Sequence, residues 1–165
     1  MSKVYTIKTV QKIPVDIDTA WAFFSSPHNL EAITPNDIEF KVTGKYAGAT
    51  MYPGQIIQYK LKPLLGLTFY WMTEITHVSD KKFFVDEQRF GPYRMWHHQH
   101  HFKQIDGGVE MTDIVHYKIP YWFIGDVANS LVVRKQLRGI FAFRFKAVEE
   151  RFGNWAGQKE DILID

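Results

Sequence analysis

The feature that most constrains this chain is a change of period near its end. Between Asp126 and Phe152 there is no proline, and Val133, Leu137, Ile140, Phe141, Phe145, Val148 and Phe152 recur at spacings of three, four or seven. Such spacing puts them on one stripe of a helix, with Lys135, Arg138, Lys146 and Glu149 largely off it. Gly153 then stands where a C-terminal cap is needed. At 1.5 Å per residue this helix is roughly 40 Å long, enough to cross a whole sheet.

Upstream, the residues alternate with the period of strands. Lys3 to Ile13, rich in Val, Ile, Thr and Tyr, reads as a first strand ended by Pro14. Asp16 suits the N-cap of a short helix over Ile17–Ser25. Ser26 and Pro27 begin a second small helix reaching about Ile33. Six further strands follow, over 37–44, 54–62, 67–78, 82–90, 93–105 and 108–119. Pro53-Gly54, Pro63 with Gly66, Ser79-Asp80, Gly91-Pro92 and Asp106-Gly107-Gly108 punctuate them. One strand, two small helices, six strands and a long helix predict an α+β layer arrangement, a seven-stranded and mostly antiparallel sheet with its helices on one face.

The chain of 165 residues is one domain's worth, so a single unit over 1–165 is expected. Its 20 basic and 18 acidic side chains give a net charge of +2, and the basic ones are scattered. That argues against nucleic acid as a partner. There is no cysteine, hence no disulfide frame and no thiolate chemistry. No apolar run reaches the length of a signal peptide or the roughly 18 residues of a membrane span. A cytoplasmic protein without stable membrane insertion is expected. Aromatic residues are abundant, at 16%. GxSxG, P-loop and GxGxxG motifs are missing, so no cofactor is expected.

The string Phe90-Gly91-Pro92-Tyr93-Arg94-Met95-Trp96-His97-His98-Gln99-His100-His101-Phe102, followed by Met111-Thr112-Asp113-Ile114-Val115-His116-Tyr117-Lys118-Ile119-Pro120, resembles bacterial members of the START-like, or SRPBCC, superfamily. The resemblance covers nearly the whole chain. It implies a helix-grip fold, in which the sheet curves around the C-terminal helix. It also brings the range of that superfamily: lipid-transfer domains, plant allergen-type ligand carriers, polyketide cyclases and chaperone activators. A fold shared by so many activities does not choose among them.

Strand alternation assigns faces. Val109, Met111, Asp113, Val115, Tyr117 and Ile119 share the inner side of the last strand, with an acid in their middle. Phe69, Trp71, Thr73 and Ile75 form the apolar side of the 67–78 strand. In 82–90 either alternate set could face inward. In 93–105 the set Arg94, Trp96, His98, His100 and Phe102 is taken as inner. Arg94, His98, His100, Asp113 and Tyr117, with Asp86 as a further candidate, would then stand among large aromatics. Such groups form either a structural hydrogen-bonded network or the polar anchor of a ligand pocket.

Trp71, Trp96, Tyr117 and Phe141 are the expected apolar wall, and Arg94, His98, His100 and Asp113 the expected polar anchor. Trp122 and Phe123, in the apolar loop before the long helix, are expected to line or cover a cavity mouth. The expected ligand is a small hydrophobic or aromatic molecule, such as a lipid, an isoprenoid or a polyketide-like compound. One alternative is a cyclase or dehydratase using His98 or His100 as general base, oriented by Asp113. Another is a protein-interaction module like the chaperone activators. Two histidines beside an acid also have the form of a two-His-one-carboxylate metal site, but without a supporting motif no metal is expected. The apolar loops suit a homodimer contact. Gly139, inside the long helix, is read as close packing on the sheet, as room for a ligand beside Phe141 and Arg138, or as local give in a helix that must open.

Overall fold

In the computed structural model, residues 3–43, 50–64, 67–119 and 126–165 are described. β1 (Tyr5–Ile13) leads through Pro14 into α1 (Ile17–Phe24). The Asp16 carboxylate accepts from the Thr19 backbone N–H at 2.9 Å, the expected cap. The second small helix is instead two 3-10 turns, Pro27–Asn29 and Glu31–Ile33, followed by a third at Asn36–Ile38. Side chains here bond locally to the backbone. Asn29 Nδ2 donates to the Phe23 carbonyl at 2.9 Å, and Thr34 Oγ1 donates to the Leu30 carbonyl at 2.7 Å. Such bonds compete with a continuous helix.

The third turn displaces the expected 37–44 strand. Glu39 takes a left-handed conformation (φ 47°), and only Lys41–Val42 pairs as β2. β3 (Gln55–Leu64), β4 (Leu67–Ser79), β5 (Phe83–Phe90), β6 (Met95–Ile105) and β7 (Gly108–Lys118) follow close to their expected bounds, and α2 runs from Asp126 to Phe152. Gly153, at φ +96°, donates its N–H to the Glu149 carbonyl and ends α2. Among the described residues there are eight strands, one more than the seven expected. The apolar triplet Ile162–Ile164 forms β8 on the far side of β1.

The sheet is antiparallel in the order β2-β3-β4-β5-β6-β7-β1-β8. α2 turns Val133, Leu137, Phe141, Phe145 and Val148 into the core. α1 contributes Ala20, Trp21, Phe23 and Phe24, which pack with Phe84, Phe102 and Phe152 at one end. At the other end Ile7, Val115, Tyr117, Val133, Leu137, Phe141 and Ile162 form a second cluster. Buried Gln11 ties the layers together, its Nε2 donating to the Phe145 carbonyl of α2 at 2.9 Å.

Gly139 does not serve close packing. A Cβ built there would meet nothing within 4 Å. On the same helix Lys135 and Arg138 are exposed, whereas Arg134 is half-buried with its guanidinium 5.1 Å from the Tyr5 ring centre. Among the described residues no helix is long and apolar enough to cross a membrane.

Candidate functional site

Register builds the site. On β6, His98 stands opposite Asp86 of β5 and Val115 of β7, while His100 stands opposite Phe84 and Asp113. Because side chains two apart share a face, this places two histidines between two carboxylates on the inner side of three adjacent strands. The alternation left open in β5 is thereby settled, with Phe84 and Asp86 facing inward. α2 supplies the fifth member, Arg144.

The five groups are mutually satisfied. Asp113 Oδ1 lies 3.1 Å from His98 Nε2 and 2.9 Å from His100 Nδ1. Asp86 Oδ2 lies 2.8 Å from His100 Nε2 and 3.6 Å from His98 Nδ1. Arg144 stands 3.6 Å from Asp113 Oδ1. The imidazoles lie 3.7 Å apart between ring centres, and His100 stacks on Phe84 at 4.1 Å.

Burial by itself would raise the Asp113 carboxyl. The Arg144 charge and the hydrogen bonds from His100 and His98 outweigh it and hold Asp113 well below the usual carboxylate range. At Asp86 burial is likewise outweighed, by the hydrogen bond from His100 and the nearby positive charges. Burial, then the neighbouring His100 charge, lower His98. His100 is raised despite burial because Asp113 and Asp86 both accept from it. Of the two imidazoles, His100 is therefore the one that holds a second proton more readily.

Beside this cluster lies a cavity of about 220 Å³ between the sheet and α2. Asp86, His98, His100 and Arg144 give it one polar side, and Gln136 and Thr73 add further polar groups. The rest is apolar: Leu30, Ile33, Met51, Leu61 and Ile75 with Phe69, Trp71, Tyr93, Trp96, Ile140 and Phe141. Trp71 and Trp96 meet edge to face at 5.3 Å, and Tyr93 lies 4.9 Å from Trp96.

Of the residues selected from sequence, Trp71, Trp96, His98, His100 and Phe141 line the cavity. Asp113 is buried behind the histidines and is not among the lining residues. Tyr117 is buried outside the lining, stacked on Tyr5 at 5.4 Å. Arg94 is a correction: the set beginning with Trp96 does face inward, but Arg94 precedes the strand, is exposed, and is not among the lining residues. Trp122 and Phe123 fall outside the described residues. Sequence reading missed Arg144. The signal was its position, three after Phe141 and four before Val148, inside the apolar stripe where only a paired charge is tolerated.

No protein-family model matches the sequence, and no curated protein matches it. Solved structures do share its fold. Ms6760 from Mycobacterium smegmatis is 16% identical over 88% of this chain and 89% of that one, with a TM-score of 0.63. CV1439 from Chromobacterium violaceum is 12% identical over 91% and 98%, at 0.67. Ginseng major latex-like protein 151 from Panax ginseng is 13% identical over 90% and 97%, at 0.64. The architecture is thus the helix-grip fold that the sequence led us to expect. At such identities the likeness speaks for the fold alone.

Proposed function

We propose that this protein binds a compact hydrophobic or aromatic molecule between the sheet and α2, with its polar end against Arg144, His98 and His100. The observation that carries this reading is an apolar, aromatic-walled cavity lined also by the clustered Asp86, His98, His100 and Arg144, the usual form of a small-molecule site. At about 220 Å³ it is smaller than the roughly 300–1,000 Å³ of sites for drug-sized ligands. A molecule of one or two rings, of isoprenoid or polyketide-like character, suits it better than a long acyl chain. The Arg144 guanidinium favours an oxygen acceptor at the polar end of that molecule.

Native mass spectrometry of the purified protein, followed by organic extraction, tests the reading. The expected result is a co-purifying species of fixed mass, absent from Ile140→Trp, in which the indole fills the cavity. A clean mass for the unaltered protein, with no uptake of an apolar fluorescent probe that Ile140→Trp would block, overturns it and moves attention to the outer surface as a protein contact.

A further inference from the structure

The two imidazoles are oriented in a way that a simple hydrogen-bonded network does not require. One oxygen of Asp113 accepts from His98 Nε2 at 3.1 Å and from His100 Nδ1 at 2.9 Å. A carboxylate behind a histidine fixes which ring nitrogen carries its proton and turns the other nitrogen forward. Here one carboxylate does so for both rings. The nitrogens turned forward, His98 Nδ1 and His100 Nε2, both face Asp86 Oδ2, at 3.6 and 2.8 Å. Asp86, His98 and His100 can each offer one ligand atom such that the three lie within 4.8 Å of one another.

We propose that Asp86, His98 and His100 form a binding site for a divalent first-row transition ion, with Asp113 as the carboxylate that positions both imidazoles. Bonds of about 2.0–2.2 Å place neighbouring ligand atoms roughly 3.0–3.5 Å apart, which the two distances to Asp86 bracket. The rings are held in place, His100 against Phe84 and His98 against His100. Arg144, beside Asp113, balances the outer carboxylate, so the charge of Asp86 is left to the ion. Two imidazoles and one carboxylate suit Zn²⁺ or Fe²⁺ rather than Mg²⁺ or Ca²⁺, which take oxygen sets. On binding, the ion displaces the proton shared by His100 Nε2 and Asp86, and that proton leaves to solvent. Asp86, His98 and His100 line the cavity and Asp113 does not. The open coordination positions therefore face the cavity, where a ligand oxygen would complete the shell.

The test uses tag-free, chelator-treated protein and the metal alone, so its outcome is independent of any organic ligand. Titration with Zn²⁺ by calorimetry should give one saturable equivalent. Co²⁺ should give visible absorption of a four- or five-coordinate nitrogen and oxygen site. Asp86→Asn and His98→Gln should lose that equivalent, and Asp113→Asn should weaken it about 10–100-fold. His97→Gln and His101→Gln, on the opposite face of β6, should leave it unchanged. Circular dichroism and a thermal melt establish that each variant is folded. If the inner variants do not fold, the Co²⁺ spectrum of the unaltered protein decides. The proposal is overturned by no saturable equivalent, by the weak spectrum of a six-coordinate aquo ion, or by binding that Asp86→Asn leaves intact.

Discussion

Tyr117 shows how a single atom can sit badly in a good core. Its side chain is fully buried, and its hydroxyl has no hydrogen-bond partner among the described residues. Burial pushes the phenol up to about 12. Leaving a buried hydroxyl unpaired costs about 1–3 kcal/mol, so Tyr117→Phe is expected to be neutral or stabilising by up to that amount in urea denaturation. Arg144 is the opposite case. Arg144→Met retains the volume but leaves the buried Asp113 carboxylate to the histidines alone, and a loss on the order of 3 kcal/mol is expected by the same measurement. A loss below about 0.5 kcal/mol would mean the histidines alone stabilise the carboxylate. Residues of the first kind were legible as core from alternation alone. Arg144 was not, because a charged side chain inside an apolar stripe is recognised only once its partner, on a distant strand, is known.

At the scale of elements, two glycines of similar appearance in the sequence separate. Gly139 in α2 has open space around the position of a Cβ. Since glycine costs about 1 kcal/mol relative to alanine inside a helix, Gly139→Ala is expected to raise the melting temperature by a few degrees. In Gly108, at the start of β7, a Cβ would collide with the Ile13 carbonyl oxygen at the end of β1. Gly108→Ala must push the two strands apart, and a lower melting temperature is expected. Strand bounds and the full extent of α2 were legible because their periods run for eight residues or more. The 3-10 turns between Pro27 and Ile38 were not, since three-residue turns have no period to read. The face of β5 stayed ambiguous because both alternate sets carry aromatic and charged residues, and only pairing with β6 decides between them.

For the whole molecule, the edge of the sheet is the point of exposure. β8 covers β1 over Ile7–Thr9. Gln158 brackets Lys12, its Oε1 accepting from the Lys12 N–H at 2.5 Å and its Nε2 donating to the Lys12 carbonyl at 3.2 Å. The Asp165 carboxylate accepts from the Thr6 N–H at 2.7 Å. Removing residues 154–165 uncovers that edge, and unpaired edges invite pairing between chains. Truncation is expected to lower the melting temperature and to produce concentration-dependent oligomers in light scattering. An unchanged mass in light scattering and an unchanged melting temperature would show that β8 is ornamental. The layer architecture was legible from the order of periods along the chain, while β8 was too short to be separated from a tail.

The neighbours of β1 also set a timetable. β1 lies between β7 and β8, which come long after it in the chain, and it cannot be zipped into place until about 100 further residues have emerged. At roughly 5–20 residues per second, the nascent chain carries an unpaired, partly apolar strand for about 5–20 s. The β3–β7 hairpins, whose partners are adjacent in sequence, can assemble during that wait. Closure of the sheet therefore waits for β7 and β8, and the stretch before it is when a holding chaperone would matter most.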